Sequence, residues 1–208
     1  MIHKFTGNGL WFVSDTHWSH KSIIEMCNRP FDSIEEHDAK LIENWNSVVG
    51  TNDTVFHLGD VLFGGSMKWH EIIGQLNGHI VLIQGNHDLK NLQNSCKGLF
   101  EDVLQQAFIE IDGRKVYLNH FPFLSFAHWN PEKYDFKSLH FALNGHLHTR
   151  KNDTGFDSQF LKNFLPTQYE VGVDMNNFTP ISWEEVNRKI TYQIENNCNL
   201  SHWLEDEC

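Results

Sequence analysis

The sequence predicts a mixed α/β fold, and three observations support this prediction. Apolar, β-rich runs alternate with amphipathic helical patterns in the first half of the chain, as βαβ units require. The second half is richer in strand patterns and carries a strong hairpin signal at Asp112-Gly113. A chain of 208 residues, 40% of them hydrophobic, can bury the core of one such domain.

The first half contains three predicted strands and two predicted helices. The strand patterns cover residues 9–15, 53–60 and 79–85, and each is apolar until it ends in polar side chains. Ser33 and Glu36 fit a capping box, so a helix is expected to begin near Ser33. A shorter helix is predicted over residues 67–76.

The second half continues with four more strands, which are expected to be antiparallel, and one helix. Residues 107–113 and 114–120 form the predicted hairpin, and residues 139–146 and 169–174 have further strand patterns. Ser182 and Glu185 form a second capping box, which predicts a C-terminal helix. We expect residues 1–208 to form a single domain, with a surface tail or a docked short helix at about residues 195–208.

The bulk composition excludes several classes of protein. The net charge of −11 disfavours broad binding to duplex nucleic acid, although a local cationic site remains compatible with it. No apolar run reaches the ~18 residues of a membrane helix, and the N-terminus lacks a signal-peptide pattern, so we expect a soluble, cytoplasmic protein. The four cysteines are scattered, which predicts free thiols and a poor zinc-thiolate site.

Five polar clusters lie at or just after the ends of predicted strands. They are Asp15-Thr16-His17, Gly59-Asp60, Gly85-Asn86-His87-Asp88, Asn119-His120 and Gly145-His146-Leu147-His148. In open α/β sheets, functional sites collect at the carboxyl ends of strands, so we expect these five clusters to converge. The glycines before Asp60, Asn86 and His146 would allow sharp turns and close approach of the backbone.

The residue types in these clusters predict a metal centre. Oxygen and nitrogen donors without sulfur suit Mn²⁺, Fe, Zn²⁺, Ni²⁺ or Co²⁺. In an extended segment, residues two apart point the same way at roughly 6.5 Å, so the D-x-H and H-x-H pairs could each face inward. Seven donors suit two ions about 3.5–4 Å apart that share a carboxylate. The seven candidates are Asp15, His17, Asp60, Asn86, His120, His146 and His148, with Asp60 as the natural bridge.

The ordered set D-x-H, G-D, G-N-H-D, H and G-H-x-H resembles the calcineurin-like metallophosphoesterase superfamily. The resemblance runs from Asp15 to His148, and "YEVGVD" looks like the usual continuation. The chain looks closest to small bacterial and phage members that begin with "SDTHxxH…RPF" and an "LGD" strand. The resemblance implies a four-layer α/β/β/α sandwich of two mixed sheets flanked by helices, with two metal ions at one edge.

The resemblance also implies a role for each residue. Metal one would be held by Asp15, His17, Asp60 and His148, and metal two by Asp60, Asn86, His120 and His146. His87 would contact the phosphate and donate a proton to the leaving oxygen, and Asp88 would orient His87. A metal-bridging hydroxide would attack phosphorus in line. One departure is visible, because many members have an acid where this chain has Phe63.

Further residues near these motifs could contact substrate. His20 and Arg29 are candidates, and a guanidinium can bind a phosphate through two hydrogen bonds; the alternative is that both are solvated loop residues. The aromatic segment 121–136 could stack on a nucleobase or cover the site, or it could simply pack under a long loop. We expect His37 to be uninvolved.

These features together predict a dinuclear metal-dependent phosphoester hydrolase. Mn²⁺ is the favoured cofactor, and a small nucleotide-like or cyclic phosphodiester is the favoured substrate. The alternatives are a phosphomonoesterase, a single-strand nuclease of the same family, or a non-catalytic metal-binding scaffold. The expected partner is therefore a small phosphoester, with neither a membrane nor broad duplex nucleic acid.

Overall fold

The computed structural model of the chain describes residues 2–149 and 163–204, and these residues form two five-stranded sheets with flanking helices. The first sheet contains, in spatial order, β1 (His3–Phe5), β6 (Gln106–Ile111), β7 (Arg114–Asn119), β8 (Phe141–Asn144) and β9 (Gln168–Glu170). The second sheet contains β10 (Ile181–Ser182), β2 (Leu10–Val13), β3 (Thr54–His57), β4 (His79–Ile83) and β5 (Asp102–Leu104). The predicted sandwich of two mixed sheets flanked by helices is confirmed.

Both sheets are mixed, but parallel pairing dominates where the predicted site lies. β2, β3, β4 and β5 run parallel, and only β10 is antiparallel to its neighbour in that sheet. In the first sheet β6 and β7 form the antiparallel hairpin, whereas β7, β8 and β9 are parallel. Parallel strands place their carboxyl ends at one edge, so each sheet contributes several loops to a shared edge of the sandwich.

The main hydrophobic core lies between the two sheets. Alternate residues of each strand face it, as the two-residue period of a strand requires. Phe12 and Phe56 of the second sheet meet Val116, Leu118 and Phe141 of the first, and all five are at most 2% exposed. Burial of these side chains fixes the register of both sheets, and therefore the positions of the loops that follow them.

The helices cover the opposite face of the second sheet and one end of the sandwich. They are α1 (Ser22–Met26), α2 (Ile34–Val48), α3 (Ser66–Ile73), α4 (Asp88–Asn91) and α5 (Trp183–Glu195). α2 and α3 belong to a second core with β2, β3 and β4, in which Trp45 and Trp69 are buried. Ser33 and Ser182 accept hydrogen bonds from the backbone N–H groups of Glu36 and Glu185, so both predicted N-caps are confirmed.

The second half departs from the expected run of antiparallel strands. The hairpin at Asp112-Gly113 is confirmed, but β8 and β9 add to β7 in parallel, because long connections rather than tight turns join these strands. The strand pattern over residues 169–174 ends at Glu170. Gly172 then pairs with Ser14 across the gap between the sheets.

The C-terminal segment docks on the main core as far as the structure describes it. A 3₁₀ helix spans Leu200–Leu204, and Leu200 and Leu204 are buried among the core side chains. The predicted tail beyond residue 204, including Cys208, lies outside the described residues. Cys27, Cys96 and Cys198 are not joined in disulfides. No helix in the described ranges is long and apolar enough to span a membrane.

Candidate metal centre

The loops that carry the predicted ligands are joined by backbone hydrogen bonds at the shared edge. The Asp15 N–H donates to the Gly59 carbonyl at 3.0 Å, and the His17 N–H donates to the Asp60 carbonyl at 3.1 Å. The Gly145 N–H donates to the His120 carbonyl at 3.0 Å. These bonds continue the parallel pairing of the strands past their ends, so the functional side chains are held on a connected backbone rather than on independent loops.

Two glycines are required for this close approach. Gly59 has a φ of +97°, and a Cβ there would lie 2.5 Å from the Gly85 nitrogen. A Cβ on Gly145 would lie 2.0 Å from Ser14 Oγ and 2.4 Å from Asp15 Oδ2. Any larger residue at either position would push the loops apart, so these two predicted glycine roles fit the structure.

Most of the predicted ligands have left-handed backbone conformations. Positive φ values occur at Asp15 (58°), His17 (49°), Asp60 (56°), His146 (77°) and His148 (51°). This conformation is unfavourable for residues other than glycine, and such strain concentrates at functional sites. The expected extended geometry of the D-x-H and H-x-H segments is therefore wrong, although their side chains do converge.

The structure brings the predicted donors together in two groups. Asp15, His17 and His148 form one group, and Asp60, His120 and His146 form the other. Within each group the ligand atoms lie within 4.8 Å of one another. Donor atoms of three residues at this spacing are typical of a site that can hold one divalent cation.

Asp60 belongs to the second group and also lies close to the first. Its Oδ2 is 3.6 Å from His17 Nε2 of the first group and 3.5 Å from His120 Nε2 of the second. Its Oδ1 accepts a hydrogen bond from the His87 N–H at 2.9 Å, which fixes the carboxylate orientation. Asn86 Oδ1, 3.0 Å from His120 Nε2, adds an oxygen donor to the second group.

Two buried donor atoms lack any hydrogen-bond partner. Asp15 Oδ1 and His17 Nε2 are both buried and unsatisfied among the described residues. The other carboxylate oxygen of Asp15 accepts from the His146 N–H at 2.9 Å, so only Oδ1 is left over. A buried polar atom without a partner is unfavourable, and a cation between these two atoms would satisfy both. The residues present therefore fit a metal ion.

Hydrogen bonds to the Nδ1 atoms set the orientation of two of these histidines. His120 Nδ1 lies 2.8 Å from the Leu58 carbonyl, and a carbonyl can only accept, so Nδ1 carries the proton. His148 Nδ1 lies 2.9 Å from an Asp174 oxygen in the same arrangement. When these rings are neutral, the lone pair is on Nε2, which faces the donor groups. This is the tautomer that a metal ligand needs.

The pKa shifts of the site histidines follow from burial and from the crowding of charged groups. Burial lowers the pKa of His17 well below its ordinary value, and the positive charge of His148 lowers it further. Burial also opposes protonation of His120, but a hydrogen bond to Asp60 and the charges of Asp15 and Asp60 raise the pKa of His120 to about 9. In the absence of metal, a proton on His120 thus partly compensates the clustered carboxylates.

His87 lies at the open side of the site. Its side chain is 41% exposed, and its Nε2 is 3.9 Å from Asp60 Oδ2. Phe63 packs against the His87 ring with centroids 4.9 Å apart. The His87 imidazole is therefore placed by aromatic packing and is accessible to a small molecule above the donor groups.

The structure corrects the predicted role of Asp88. Its carboxylate is buried and accepts hydrogen bonds from the N–H groups of Asp60, Val61 and Gly85 at 2.8–3.0 Å. These bonds turn the carboxylate towards the backbone of the strand ends rather than towards the His87 ring. Asp88 therefore holds two ligand loops together, and the expectation that it orients His87 is wrong.

The predicted phosphate contact of Arg29 is also wrong. Arg29 is only 4% exposed, and every N–H of its guanidinium has a partner inside the protein. Nε and Nη2 donate to Asp174, Nη2 also donates to the Asp15 carbonyl, and Nη1 contacts the Thr16 carbonyl and His37 Nε2. No donor is left for a substrate, so Arg29 organises the loop instead.

His37 is part of this internal network, contrary to expectation. It is fully buried, and its Nδ1 lies 2.9 Å from Asp38 Oδ1. The Asp38 carboxylate in turn accepts from the Ser19 N–H and hydroxyl at 3.0 Å. The helix α2 is thereby tied to the loop that carries His17.

His20 lies beside the site and contacts a predicted ligand. Its Nδ1 is 3.1 Å from His17 Nδ1, and its Nε2 is 2.9 Å from Ser22 Oγ. Its ring stacks on Phe63 with centroids 3.8 Å apart. Both ring nitrogens are thus engaged, so a contact of His20 with substrate stays a prediction while its contact with His17 is structural.

A third group of possible ligand atoms lies behind the first. It contains Cys27, His148 and Asp174. However, Arg29 Nη2 lies 2.7 Å from Asp174 Oδ2, and this buried positive charge repels a cation. The expectation of a poor thiolate site is compatible with this arrangement.

The aromatic segment after β7 largely packs against the protein. Phe123 and Phe126 lie 6.0 and 5.5 Å from the ring of Tyr117 on the outer face of the first sheet. Phe121 differs, because it is 45% exposed and its ring centroid is 4.6 Å from that of His146. The packing alternative therefore holds for Phe123 and Phe126, and Phe121 borders the candidate site.

Comparison with known proteins shows which proteins this chain is similar to. A family model described as the calcineurin-like phosphoesterase superfamily domain matches residues 9–161. The Gene 66 protein of Mycobacterium phage L5 is 32% identical over 180 residues, which cover 71% of this chain and 86% of the phage protein. An uncharacterized protein of Methanocaldococcus jannaschii is 47% identical over 81 residues, which cover 38% of this chain and 46% of the archaeal protein.

The archaeal relative is thus matched over less than half of its length. The fold has a further solved relative, a protein of unknown function from Aquifex aeolicus. Its crystal structure is 24% identical in sequence, has a TM-score of 0.64, and covers 86% of this chain and 97% of that chain. This likeness supports the shared two-sheet architecture.

Proposed function

The chain belongs to the calcineurin-like phosphoesterase superfamily, and from this premise we propose that it hydrolyses a small phosphodiester with the help of two divalent cations. The observation that carries the proposal is the pair of adjacent donor groups, which Asp60 joins, together with two buried donor atoms that lack hydrogen-bond partners among the described residues. The family acts on phosphoesters and uses divalent metal ions, so binding of such ions is the role that we assign to these donor groups.

The first ion would be held by Asp15, His17, Asp60 and His148, and the second by Asp60, Asn86, His120 and His146. The donors are oxygen and nitrogen only, which suits Mn²⁺ first and also Fe, Zn²⁺, Ni²⁺ or Co²⁺. When bound, such a pair of ions supplies an activated water at neutral pH and neutralises the charge of a phosphoryl group. The chain contributes the positions of the donors and their protonation state.

His87 is the residue best placed to act on the substrate itself. It is exposed at the open side of the site while most donor side chains are buried. An imidazolium at this position would bind a phosphoryl oxygen and pass its proton to the leaving oxygen. The packing of the His87 ring on Phe63 helps to orient it for this role.

The surroundings of the site favour a small substrate. Phe121 and Phe63 present aromatic rings on two sides of the donor groups, next to His146 and His17 respectively. Such rings suit the stacking of a nucleobase or another flat group on a phosphodiester. The net charge of −11 disfavours a long polyanion, so a cyclic or dinucleotide compound fits better than duplex nucleic acid.

The proposal is tested by hydrolysis of bis-p-nitrophenyl phosphate in the presence of Mn²⁺. We expect turnover by the wild-type protein, no turnover by Asp60→Ala, and a loss of about 10²–10⁴-fold in kcat for His87→Ala. His79→Ala is the control, because this exposed histidine lies on another part of the surface and pairs with Glu101. Turnover that persists in Asp60→Ala would contradict the proposal.

A substrate screen then separates the finer alternatives. Phosphomonoesters, cyclic nucleotides, dinucleotides and single-stranded oligonucleotides would be compared with several divalent metals. A preference for cyclic nucleotides or dinucleotides is the expected result, and faster hydrolysis of monoesters or oligonucleotides would replace it with a phosphomonoesterase or a nuclease. Absence of turnover with every substrate and metal would identify a non-catalytic scaffold.

A further inference from the structure

We propose that Asp174, held by Arg29, is the positioning residue of the first ion site and controls its occupancy independently of the second. The inference rests on the proposed metal sites, since it assigns a role to residues that lie behind their ligands. Neither residue is itself among the ligands, and both are buried, with Asp174 side-chain exposure of 2%.

Asp174 contacts a ligand of the first site directly. Its Oδ2 lies 2.9 Å from His148 Nδ1, while His148 Nε2 lies 3.8 Å from Asp15 Oδ1 in the donor group. The carboxylate therefore fixes both the ring plane and the tautomer of His148. Carboxylates that orient a ligating imidazole in this way commonly change metal affinity by about 10- to 100-fold.

Arg29 connects the same carboxylate to the other ligands of the first site. Its Nε and Nη2 donate to the two oxygens of Asp174 at 2.9 and 2.7 Å, so the carboxylate has one defined orientation. Its remaining donors bind the carbonyls of Asp15 and Thr16 at 2.7 and 3.0 Å. Arg29 thus fixes the position of the D-x-H loop relative to the His148 ring, directly at the loop and through Asp174 at the ring.

The second site is organised by different residues. His120 is oriented by the Leu58 carbonyl, and the loops of Asp60 and Asn86 are joined by the carboxylate of Asp88. None of these contacts involves Arg29 or Asp174. A substitution at Asp174 should therefore weaken the first ion and leave the second in place, and this asymmetry is specific to the proposed role.

The consequence is that the affinity of the first site depends on the Arg29–Asp174 pair, whereas the affinity of the second site does not. The left-handed backbone at Asp15, His17 and His148 costs conformational energy that the surrounding contacts must offset. The Arg29–Asp174 pair supplies such contacts to both segments, through the carbonyls of Asp15 and Thr16 and through the ring of His148. Without it, the first donor group would relax before a cation arrives, and the affinity of that site would fall.

The test is Mn²⁺ binding to the chelator-treated full-length chain, measured by calorimetry and by electron paramagnetic resonance. Two ions are expected for the wild type. The His146→Ala background isolates the first site, and there Asp174→Asn should weaken Mn²⁺ binding by about 10- to 100-fold. The His148→Ala background isolates the second site, and there the same Asp174→Asn substitution should have no effect on affinity.

This pair of backgrounds separates positioning from a general structural role. A structural defect would lower both affinities, whereas action through His148 lowers only the first. Arg29→Lys keeps the charge but loses the planar set of donors, and it should reproduce part of the loss at the first site. If Asp174→Asn does not fold, Asp174→Glu keeps the charge beside Arg29 while displacing the carboxylate from His148, and it should show the same selective loss.

The outcomes distinguish this inference from the proposed function. Wild-type protein that binds no Mn²⁺ pair would overturn the metal sites themselves. Wild-type protein that binds two ions, with equal first-site affinity in His146→Ala and in His146→Ala/Asp174→Asn, would overturn only the role of Asp174. Equal losses in both backgrounds would also overturn it.

Discussion

The candidate site depends on a few positions where only glycine fits the backbone conformation and the space available. Gly59 is the sharpest case, because its left-handed φ is combined with a distance of 2.5 Å from a hypothetical Cβ to the Gly85 nitrogen. The Gly85 atoms that this Cβ would meet, the nitrogen at 2.5 Å and the Cα at 2.7 Å, belong to the backbone, so they cannot turn away as a side chain could. Gly59 therefore fixes the separation between the Asp60 loop and the Asn86 loop.

Gly59→Ala is expected to destabilise the chelator-treated protein by about 2–4 kcal/mol, because strain and overlap add at this position. Urea denaturation followed by circular dichroism would measure the change. Gly98→Ala is the control, since a Cβ at Gly98 meets no atom within 4 Å, and it should change stability by less than about 0.5 kcal/mol. Equal stabilities of the two variants would contradict this prediction, because they would show that the Asp60 and Asn86 loops can move apart at little cost in free energy.

Glu170 is a buried carboxyl group that the sequence did not single out. It is 0% exposed, its Oε2 has no hydrogen-bond partner among the described residues, and its Oε1 accepts a long bond of 3.3 Å from the Thr149 N–H. Burial and then the negative charge of Asp15 raise the pKa of Glu170 to about 8. The neutral acid is therefore the stable form in the folded, metal-free chain.

A raised folded-state pKa stabilises the protein below the unfolded pKa of Glu, and that contribution is lost as the pH rises towards 8. Glu170→Gln should thus be more stable than the wild type at pH 8.5, by about 1–4 kcal/mol, and differ by less than about 1 kcal/mol at pH 5. Thermal unfolding with chelator at both pH values would measure this. Glu132→Gln, on an exposed loop, is the control and should behave like the wild type at both.

For individual residues, the sequence predicts the candidate donor residues better than the buried residues that hold them in place. The seven donors follow from the polar residues at strand ends, and the structure brings all seven to one edge. Asp174 and His37 lie in segments whose patterns indicate a strand and a helix, so nothing local marks their contacts. The charge of Arg29 suggests a phosphate contact, but only the tertiary structure shows that Asp174 already neutralises this charge inside the protein.

Among the elements, the two long helices are the ones that local sequence specifies most clearly. Ser33 caps α2 and Ser182 caps α5, each through a hydrogen bond to the third residue that follows. Ser33→Ala should lower the free energy of unfolding by about 1 kcal/mol, and Ser182→Ala by a similar amount. Equilibrium urea unfolding would measure both.

The control for this prediction lies within α2. Ser47 donates its hydroxyl hydrogen to the Asn44 carbonyl one turn back, and it is exposed near the end of the helix. Because alanine has a higher helix propensity than serine, Ser47→Ala should be neutral or slightly stabilising. A loss at Ser47 equal to that at Ser33 would show that helix content, rather than the cap, determines the effect.

The short strands show where prediction from local patterns fails. β1, β5 and β10 have two or three residues each, too few for a two-residue period to be recognised. They form because a neighbouring strand supplies hydrogen-bond partners, as β6 does for β1. The parallel order of β7, β8 and β9 likewise depends on the whole sheet and not on any one segment.

For the whole molecule, the two sheets together position the candidate metal centre. The second sheet contributes the loops of Asp15, Asp60 and Asn86, and the first contributes those of His120 and His146. The pairing of Ser14 with Gly172 and the contact of Arg29 with Asp174 join the two halves directly behind the site. Metal binding should therefore stabilise the entire fold rather than one loop.

That stabilisation should depend on pH through His120. Its raised pKa, about 9, means that the metal-free protein holds a proton there at neutral pH, and this contributes at most about 3 kcal/mol to stability. The contribution is complete below the unfolded pKa of His and is lost as the pH rises through about 9. An ion at the second site needs the same nitrogen without its proton, so proton and metal compete.

The increase in melting temperature caused by Mn²⁺ should consequently be larger at pH 8.5 than at pH 6.5. At the higher pH a smaller fraction of His120 is protonated, so proton removal opposes metal binding less. Calorimetry at pH 7 in two buffers of different ionisation enthalpy should show protons released as Mn²⁺ binds. In His120→Gln, which cannot titrate at this position, both the proton release and the pH dependence should decrease. A Mn²⁺ effect that is constant or falls between pH 6.5 and pH 8.5 would mean that His120 is not a metal ligand in the folded protein.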